Sequence, residues 1–592
     1  MNILLTAINA KYIHSNLALY SLLAYAKEYK GHITAVEFTI NQRVDYMLQE
    51  LYKRKPDVLC FSCYIWNIQY VKELAREIHK LCPKLPIWVG GPEISYETET
   101  FLQENPSITG AIIGEGEETF KELCNYYRNA ETNGNNETNG NDEINGNDEI
   151  TNLLECGLGE IRGVMFYDNT GKCIRVLPRS PLDLSSIPFC YESLSGLKNR
   201  IIYYETSRGC PFSCSYCLSS IEKGVRFRSI ELVKKELDYF LAQKVLQVKF
   251  VDRTFNASHS HATQIWQYIM ENDNGITNFH FEIVADLLTD NEIRLISKMR
   301  PGLIQLEIGV QSVNETTIRE IRRTMDIGRL KDVVYAIQGS ANVHQHLDLI
   351  AGLPCENFNS LKISFDAVYR LKPEQLQLGF LKVLKGSYLY ECREQYGLIY
   401  HTNPPYEIMA TNWLSYEELL EIKMVEEMLE VYYNSGQFLM TMKVLELAFD
   451  SPFRMFLKLG EFYEQQALEV MQHSRIKRSE ILLDFILDFA KGKDGGHFKL
   501  YEETLTYDLY ARENMKTRPY WAPKMADFKQ ETKLHCHKGK LSHIEPFYCD
   551  FTAMHKKIVT RYPQIRKEPQ FYLFDYEHKH KMTGQATITP II

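Results

Sequence analysis

The sequence predicts an α/β chain in three parts: an N-terminal doubly wound, flavodoxin-like domain, a partial (β/α)6 barrel of the TIM type, and a C-terminal mostly helical domain. Three observations carry this reading. Short apolar runs alternate with helical stretches from the N-terminus, which is the pattern of a parallel sheet covered on both faces. A second alternation of the same kind follows Ile201. Beyond about Tyr406 the pattern changes to amphipathic helices.

In the first part, residues 1–130, strands are expected at Asn2–Ile8, His32–Phe38, Val58–Tyr64, Ile87–Gly91 and Ala111–Gly114. Helical patterns such as Leu17–Tyr29 and Ile68–Leu81 lie between them. A ligand of such a sheet sits beyond the carboxyl ends of its strands. Residues 131–155 form a low-complexity insertion, centred on the Asn-, Gly- and Glu-rich run Glu131–Asn152. That run has too little apolar surface to offset its ordering entropy and reads as disordered. Residues 156–200 hold a hairpin, Ile161–Leu177, turning near Asp168–Gly171, and a connector rich in Pro and Ser.

The barrel, residues 201–405, has strands expected near Ile202–Thr206, Val245–Val251, Phe279–Val284, Ile304–Ile308, His346–Ile350 and Gln375–Leu381. Its first helix starts after Ser229, a suitable N-cap, and has Ile230, Val233, Leu237, Phe240 and Leu241 on one face. Residues 406–592 form a mainly α domain with helices such as Glu417–Tyr433 and Ile476–Ala490; the fold of the aromatic-rich stretch from Tyr501 onward is not legible.

Composition bounds the function. The formal net charge of -9 argues against a general nucleic-acid binder. No apolar run approaches the ~20 residues that cross a bilayer. Met1–Ala10 reads as a buried strand rather than a signal peptide. The 14 cysteines in so long a chain do not resemble a disulfide scaffold, so a cytoplasmic location with reduced thiols is expected.

Three of those cysteines stand apart. Cys210-Pro-Phe-Ser-Cys214-Ser-Tyr216-Cys217 directly follows a predicted strand and Arg208-Gly209. Thiolates at spacings of four and three residues let one loop wrap an iron–sulfur cluster, and three ligands leave one iron open to substrate. Zinc is the alternative, but structural zinc takes four ligands, and no fourth Cys or His lies nearby.

The CxxxC-x-aromatic-C form, with Tyr216 just before the last cysteine, resembles the signature of the radical SAM superfamily. Later stretches are similar to that family as well: Phe250–Phe255 at the end of the second strand, Leu306–Ser312, and His346–Glu356 (HLDLIAGLPCE), where Cys355 replaces a usual glycine. So is Leu378–Tyr388. The resemblance implies a [4Fe-4S] cluster on Cys210, Cys214 and Cys217, which cleaves S-adenosylmethionine (SAM) reductively to a 5′-deoxyadenosyl radical. It implies SAM contacts from Tyr216, Asp252, Arg253, Glu282, Glu307, Gln311, Arg323 and Ile350, and an electron donor such as flavodoxin or ferredoxin.

Gly90-Gly91-Pro92-Glu93 follows the fourth strand, and Gly114-Glu115-Gly116-Glu117, with Thr119 beyond, follows the fifth. Together with Ser62 at the end of the third strand, these loops resemble the cobalamin-binding domain of cobalamin-dependent radical SAM enzymes. The resemblance implies cobalamin held by these residues and by Asn9 and His14 after the first strand. His14 stands in Lys11-Tyr-Ile-His14-Ser-Asn-Leu17, without the Asp and Gly of the D-x-H-x-x-G loop of mutase-type domains. It can ligate cobalt, pack near the corrin, or serve the fold alone.

Two further groupings are weaker. Cys60-x-x-Cys63 can be a redox pair, but it spans a buried strand whose alternation sends the two thiols to opposite faces. His535-Cys536-His537, with His543, Cys549 and His555, has metal-ligand composition but irregular spacing, and reads as a polar segment; the C-terminal EHKHK reads as solvated.

The reaction implied by the resemblance is methylation of an unactivated carbon. Alternatives are a cobalamin-dependent rearrangement, cyclisation or oxidation without methyl transfer, and a non-catalytic regulatory protein that binds cluster, SAM and cobalamin. A methylthiotransferase would carry a second cysteine cluster and a C-terminal β-barrel, and the sequence shows neither. The substrate is not legible.

Overall fold

The computed structural model describes residues 1–136, 157–168, 170–490, 497–524, 528, 541–556, 558–579 and 584–591. The chain forms two compact units: Met1–Leu287 with Lys382–Ile408, and Leu288–Leu381 with Met409–Ile592.

The first unit opens with a seven-stranded sheet built from β1 (Ile3–Asn9), β2 (Ile33–Thr39), β3 (Val58–Ser62), β4 (Ile87–Gly90), β5 (Gly110–Ile112), β6 (Val164–Tyr167) and β7 (Cys173–Arg175). Their order is β2-β1-β3-β4-β5-β6-β7. The first five run parallel. Helices α1 (Leu17–Tyr25), α2 (Val44–Lys53), α3 (Ile68–Leu81), α4 (Thr98–Glu104) and α5 (Glu117–Asn136) connect them. Every residue of β1 and β3 is buried, as a sheet covered on both faces requires. One core joins Met47, Leu51, Val71, Ile78 and Phe101 to Leu4, Ile8 and Val89. The other joins Leu19, Phe120 and Leu123 to Leu5, Ala7 and Trp88.

Cys60 packs in the second core and Cys63 in the first, so the CxxC pair is split between the faces as expected. The hairpin β6–β7 pairs antiparallel with β5 and so extends this sheet, where the sequence placed it with the connector. A second correction concerns the low-complexity run: α5 continues to Asn136, because a helix anchored by buried Phe120, Leu123 and Cys124 elongates cheaply into polar residues. The rest of that run lies outside the described residues.

The same unit continues with β8 (Ile202–Tyr204), β9 (Ser207–Cys210), β10 (Gly224–Phe227), β11 (Gln247–Phe250) and β12 (Asn278–Ile283). Strands β8, β11 and β12 are parallel neighbours. Helices α6 (Ile230–Ala242) and α7 (His259–Glu271) follow β10 and β11. Ser229 holds the N-cap position of α6, but its side chain makes no capping bond.

The second unit carries β13 (Ile304–Gln311), β14 (His344–Ala351) and β15 (Gln375–Phe380), again parallel neighbours, with α8 (Ile327–Ser340) and α9 (Phe358–Tyr369) between them. Cys355, at the glycine position of the GLPGE-like turn, takes φ 63°. The turn geometry therefore survives the replacement, at a cost of about 1 kcal/mol for a non-glycine residue in the left-handed region.

Beyond lie α10 (Tyr416–Leu429), α11 (Pro452–Gln465), α12 (Arg475–Ala490) and α13 (Phe498–Arg512). The unit ends in an antiparallel sheet of β16 (Ser542–Cys549), β17 (Ile565–Lys579) and β18 (Ala586–Ile591). Helix α13 is buried on all sides, so it lacks the one-sided pattern that marks a surface helix. Its Asp508 accepts from the amides of Met440 (3.0 Å) and Thr441 (2.9 Å) and caps the helix that begins there. His543 stacks on Tyr510, with ring centroids 3.8 Å apart, and Cys549 is buried, whereas His555 is exposed. These are fold contacts; residues 535–537 lie outside the described residues. No described helix is long and apolar enough to cross a membrane.

Candidate active site

The cysteine loop is built by a short hairpin. Strand β9 delivers Cys210 and pairs antiparallel with β10, so the loop between them is closed at its base. Gly209 is required there: its φ is +98°, and a Cβ would stand 2.2 Å from the carbonyl oxygen of Gly224. Cys210 and Cys214 are buried and Cys217 is half-buried. Cys210 Sγ lies 3.6 Å from Thr254 Oγ1, at the end of β11. A turn from Cys217 N to Cys214 O (3.1 Å) bends the loop, and Ser213 Oγ accepts from Lys223 Nζ at 2.7 Å. One loop thus presents three thiols in a partly shielded setting, a donor set that fits an iron–sulfur cluster.

Beside this hairpin lies a cavity of about 850 Å³. One wall is the carboxyl edge of the first sheet, with Asn9, His14, Ser62, Gly90, Gly91, Pro92, Gly114, Glu115, Gly116 and Glu117. The other comes from the ends of β8, β9, β11 and β12, including Gly209, Arg253 and Glu282. The first wall fits cobalamin on two structural grounds. Ser62 Oγ is buried at the cavity with no hydrogen-bond partner among the described residues, a group waiting for a ligand. Gly91 has φ +127°, and a Cβ there would lie 2.4 Å from Cys63 O, so the chain is pressed against β3 and the space in front stays open.

Arg208 locks the two walls together. Its guanidinium meets Glu117 at 2.8 Å, Glu205 at 2.7 Å and Glu115 at 3.3 Å. Burial alone would raise the Glu115 carboxyl, but bonds from Arg226 and Leu182 N and the charge of Arg208 outweigh it and hold the group below the usual range. Glu115 and Glu117 therefore face the cavity while their carboxylates are engaged by arginines.

His14 is held by its neighbours as well. Tyr203 Oη is 2.7 Å from His14 Nδ1, and the main chain of His14 bridges to Ile201. Burial, with the charges of Lys11 and Lys249, depresses its pKa, so the ring is neutral at neutral pH. Trp66 also lines the cavity. It stacks on Tyr64 at 4.4 Å and donates from Nε1 to Ile8 O at 3.1 Å. Trp66, Tyr203 and Lys249, which pairs with Glu282 at 3.7 Å, escaped the sequence reading. The signal for Trp66 was its place four residues beyond Ser62, at a strand's carboxyl end.

Three expected contacts point elsewhere. Asp252 is fully buried and accepts from Thr206 N (3.0 Å), Thr206 Oγ1 (2.6 Å) and Ser207 Oγ (2.6 Å), so it pins the strand before the cysteines; burial raises its pKa to about 6 despite those bonds. Glu93 accepts from Tyr406 Oη, and burial raises its pKa. Thr119 donates to Arg162 O (3.0 Å) and accepts from Arg179 Nε (3.0 Å). None of the three lines the cavity. Tyr216 sits half-buried in the cysteine loop.

Glu307, Gln311, Arg323 and Ile350 belong to the second unit. There Arg323 donates to Gly309 O, at a register shift between Gly309 and Gln311. Gln311 takes φ 68°, and its Oε1 is buried without a hydrogen-bond partner among the described residues. Glu307 pairs in register with His346, and Ile350 with Gly379. Alternation places Glu307 with Gly309 and Gln311 on one face of β13, and Ile350 with His346 and Asp348 on one face of β14.

Three protein families match the chain. The B12 binding domain matches residues 3–124, the Radical SAM superfamily residues 204–368, and a protein of unknown function (DUF4080) residues 394–586. The chain is 25% identical over 376 residues to the cobalamin-dependent radical SAM methyltransferase TokK of Streptomyces tokunonensis, which covers 58% of this chain and 50% of that protein. It is 25% identical over 326 residues to the hopanoid C-3 methylase of Methylococcus capsulatus, covering 52% and 56%. The chain spans about half the length of these two relatives. Among solved structures, the radical SAM methyltransferase TsrM from Kitasatospora setae, with cobalamin and [4Fe-4S] cluster bound, aligns with a TM-score of 0.53 at 16% identity, over 68% of this chain and 78% of that one. The cobalamin-dependent SAM radical enzyme OxsB, with aqua-cobalamin and SAM bound, aligns with a TM-score of 0.54 at 15% identity, over 90% and 81%. These likenesses show a shared fold. The radical SAM domain implies a [4Fe-4S] cluster and SAM, and the B12 binding domain implies cobalamin.

Proposed function

We propose that this chain, in which a B12 binding domain precedes a radical SAM domain, is a methyltransferase that uses cobalamin and a SAM-derived radical to methylate an unactivated carbon. One observation carries the reading: a single cavity of about 850 Å³ has the orphaned Ser62 hydroxyl and the Gly91 backbone on one wall and the base of the three-cysteine loop on the other. A methyl carrier and a radical generator placed on those walls would face the same space. The names of TokK and the hopanoid C-3 methylase point to the same chemistry.

Cys210, Cys214 and Cys217 would hold the cluster, and Ser62, Gly90, Gly91, Gly114 and Gly116 would hold cobalamin. Bound there, the cluster supplies the electron that cleaves SAM, and cobalamin supplies the transferable methyl group. Arg253 and Glu282, on the wall that carries the cysteine loop, would contact SAM. The protein contributes position and shielding. Trp66, Phe189 and Ile187 give the cavity apolar walls that exclude water from a radical, and the Arg208 cluster keeps the two walls at a fixed distance. The reductant is assigned to a flavodoxin or ferredoxin class of donor.

A methyltransferase uses SAM in two ways, so two products distinguish it from a rearrangement or a cyclisation. The reduced, reconstituted protein with bound cobalamin is expected to form S-adenosylhomocysteine, at least one per bound cobalamin, besides 5′-deoxyadenosine. Deoxyadenosine alone, by chromatography of a quenched reaction, would assign the chain to non-methylating chemistry.

A further inference from the structure

After β15 the chain enters the first unit at Lys382 and stays in it to Ile408. This segment closes on itself: Val383 N donates to Tyr406 O (3.0 Å), and His401 N to Glu407 O (3.0 Å). Asn403 accepts from Gln69 Nε2 on α3 at 3.2 Å, and further polar contacts reach two loops. One is the turn after β4, which follows the cavity-lining Gly90-Gly91-Pro92. There Tyr406 donates to Glu93, Tyr390 donates to Glu97, and Lys385 Nζ meets Glu97 at 3.1 Å. Gly386, at φ +82°, lies flat on Tyr96, where a Cβ would stand 2.3 Å from the ring. Tyr96 is itself a cavity residue. The other loop carries the cysteines: Leu389, fully buried, donates its amide to Ser215 O at 2.9 Å, between Cys214 and Cys217.

We infer that residues 382–408 form a positioning strap that sets the corrin-side loop 90–97 and the cysteine loop 210–217 at a fixed separation. Helix and sheet contacts position each loop on its own wall. The strap is bonded to both at once, through a backbone bond on one side and two carboxylates on the other. Methyl transfer to a substrate radical needs the reacting centres held within a few tenths of an ångström, and a strap of this kind supplies that constraint. Lys385, Tyr390 and Tyr406 are positioning residues, since none of them lines the cavity. The inference rests on the functional reading above.

The test uses the full chain and the double variant Lys385→Ala with Tyr390→Phe, which frees Glu97 without touching the cavity. In the cofactor-free protein, hydrogen exchange is expected to rise at least threefold in both 90–97 and 210–217. A rise confined to 382–408 would overturn the strap. In the reconstituted protein, iron and cobalamin contents should stay within twofold of the parent. The dipolar coupling between reduced cluster and cob(II)alamin, read by pulsed electron paramagnetic resonance, should show a shifted or broadened separation. An unchanged separation, with both groups bound, refutes the inference. If the parent protein itself binds neither group, the functional reading fails, while the exchange experiment still judges the strap. Should the double variant not fold, Tyr390→Phe alone is measured in the same way.

Discussion

Replacing Cys214 with alanine is expected to abolish the cluster, with loss of its iron, its sulfide and its visible absorption. SAM cleavage should fall at least about a thousandfold, since nothing else in the loop can deliver an electron to SAM. The residues assigned to cobalamin lie on the opposite wall, on the first sheet, and do not depend on the thiols. Cobalamin binding, followed by absorption of the refilled protein, should therefore stay within about twofold of the parent. A Cys214→Ala protein that keeps its visible spectrum would remove the cysteines from the account. Joint loss of cluster and cobalamin would show that the two sites do not bind independently.

The reciprocal experiment is Gly91→Ala. The added methyl would meet Cys63 O at 2.4 Å and Cys63 N at 3.1 Å, both backbone atoms of a buried residue just beyond the carboxyl end of β3. The backbone also has φ +127°, where an L side chain is strained by about 1–3 kcal/mol. The turn after β4 has to move off β3, and the direction open to it is the cavity. Cobalamin content is expected to fall at least about tenfold, equivalent to about 1.4 kcal/mol or more. Iron content should remain at the parent level. If Gly91→Ala binds cobalamin normally, the first wall is not the corrin site.

Much of this arrangement was legible because its signals are local. The five parallel strands of the first sheet announced themselves as short apolar runs, and α3 as Ile68, Val71, Leu74, Ala75 and Ile78 on one buried face. The cysteine loop is contiguous, so its spacing was legible, and the ordered motifs that follow it along the chain set a SAM-cleaving cluster above zinc. The missed features depend on long-range partners. Asp252 follows a barrel strand, as a SAM contact does, but the donors of Thr206 and Ser207 capture its carboxylate. Glu93 sits in a loop whose glycines face the cavity, and Thr119 in the first turn of α5 just after another, yet Tyr406 and Arg179 draw their side chains away. Helix α13 was unreadable because burial on all sides, with Glu503 and Asp508 inside, erases the amphipathic period. Arg208 looked like the residue before a motif glycine, and only the fold brings three carboxylates to it.

The central claim is that the three-cysteine loop and the glycine-lined edge of the first sheet serve one reaction on SAM. Its most direct test is 5′-deoxyadenosine formation from SAM by the anaerobically reconstituted, chemically reduced full chain carrying cobalamin. The account predicts at least one deoxyadenosine per cluster, and none from Cys214→Ala under the same conditions. A folded parent protein with full cluster and bound SAM that releases no deoxyadenosine would contradict it.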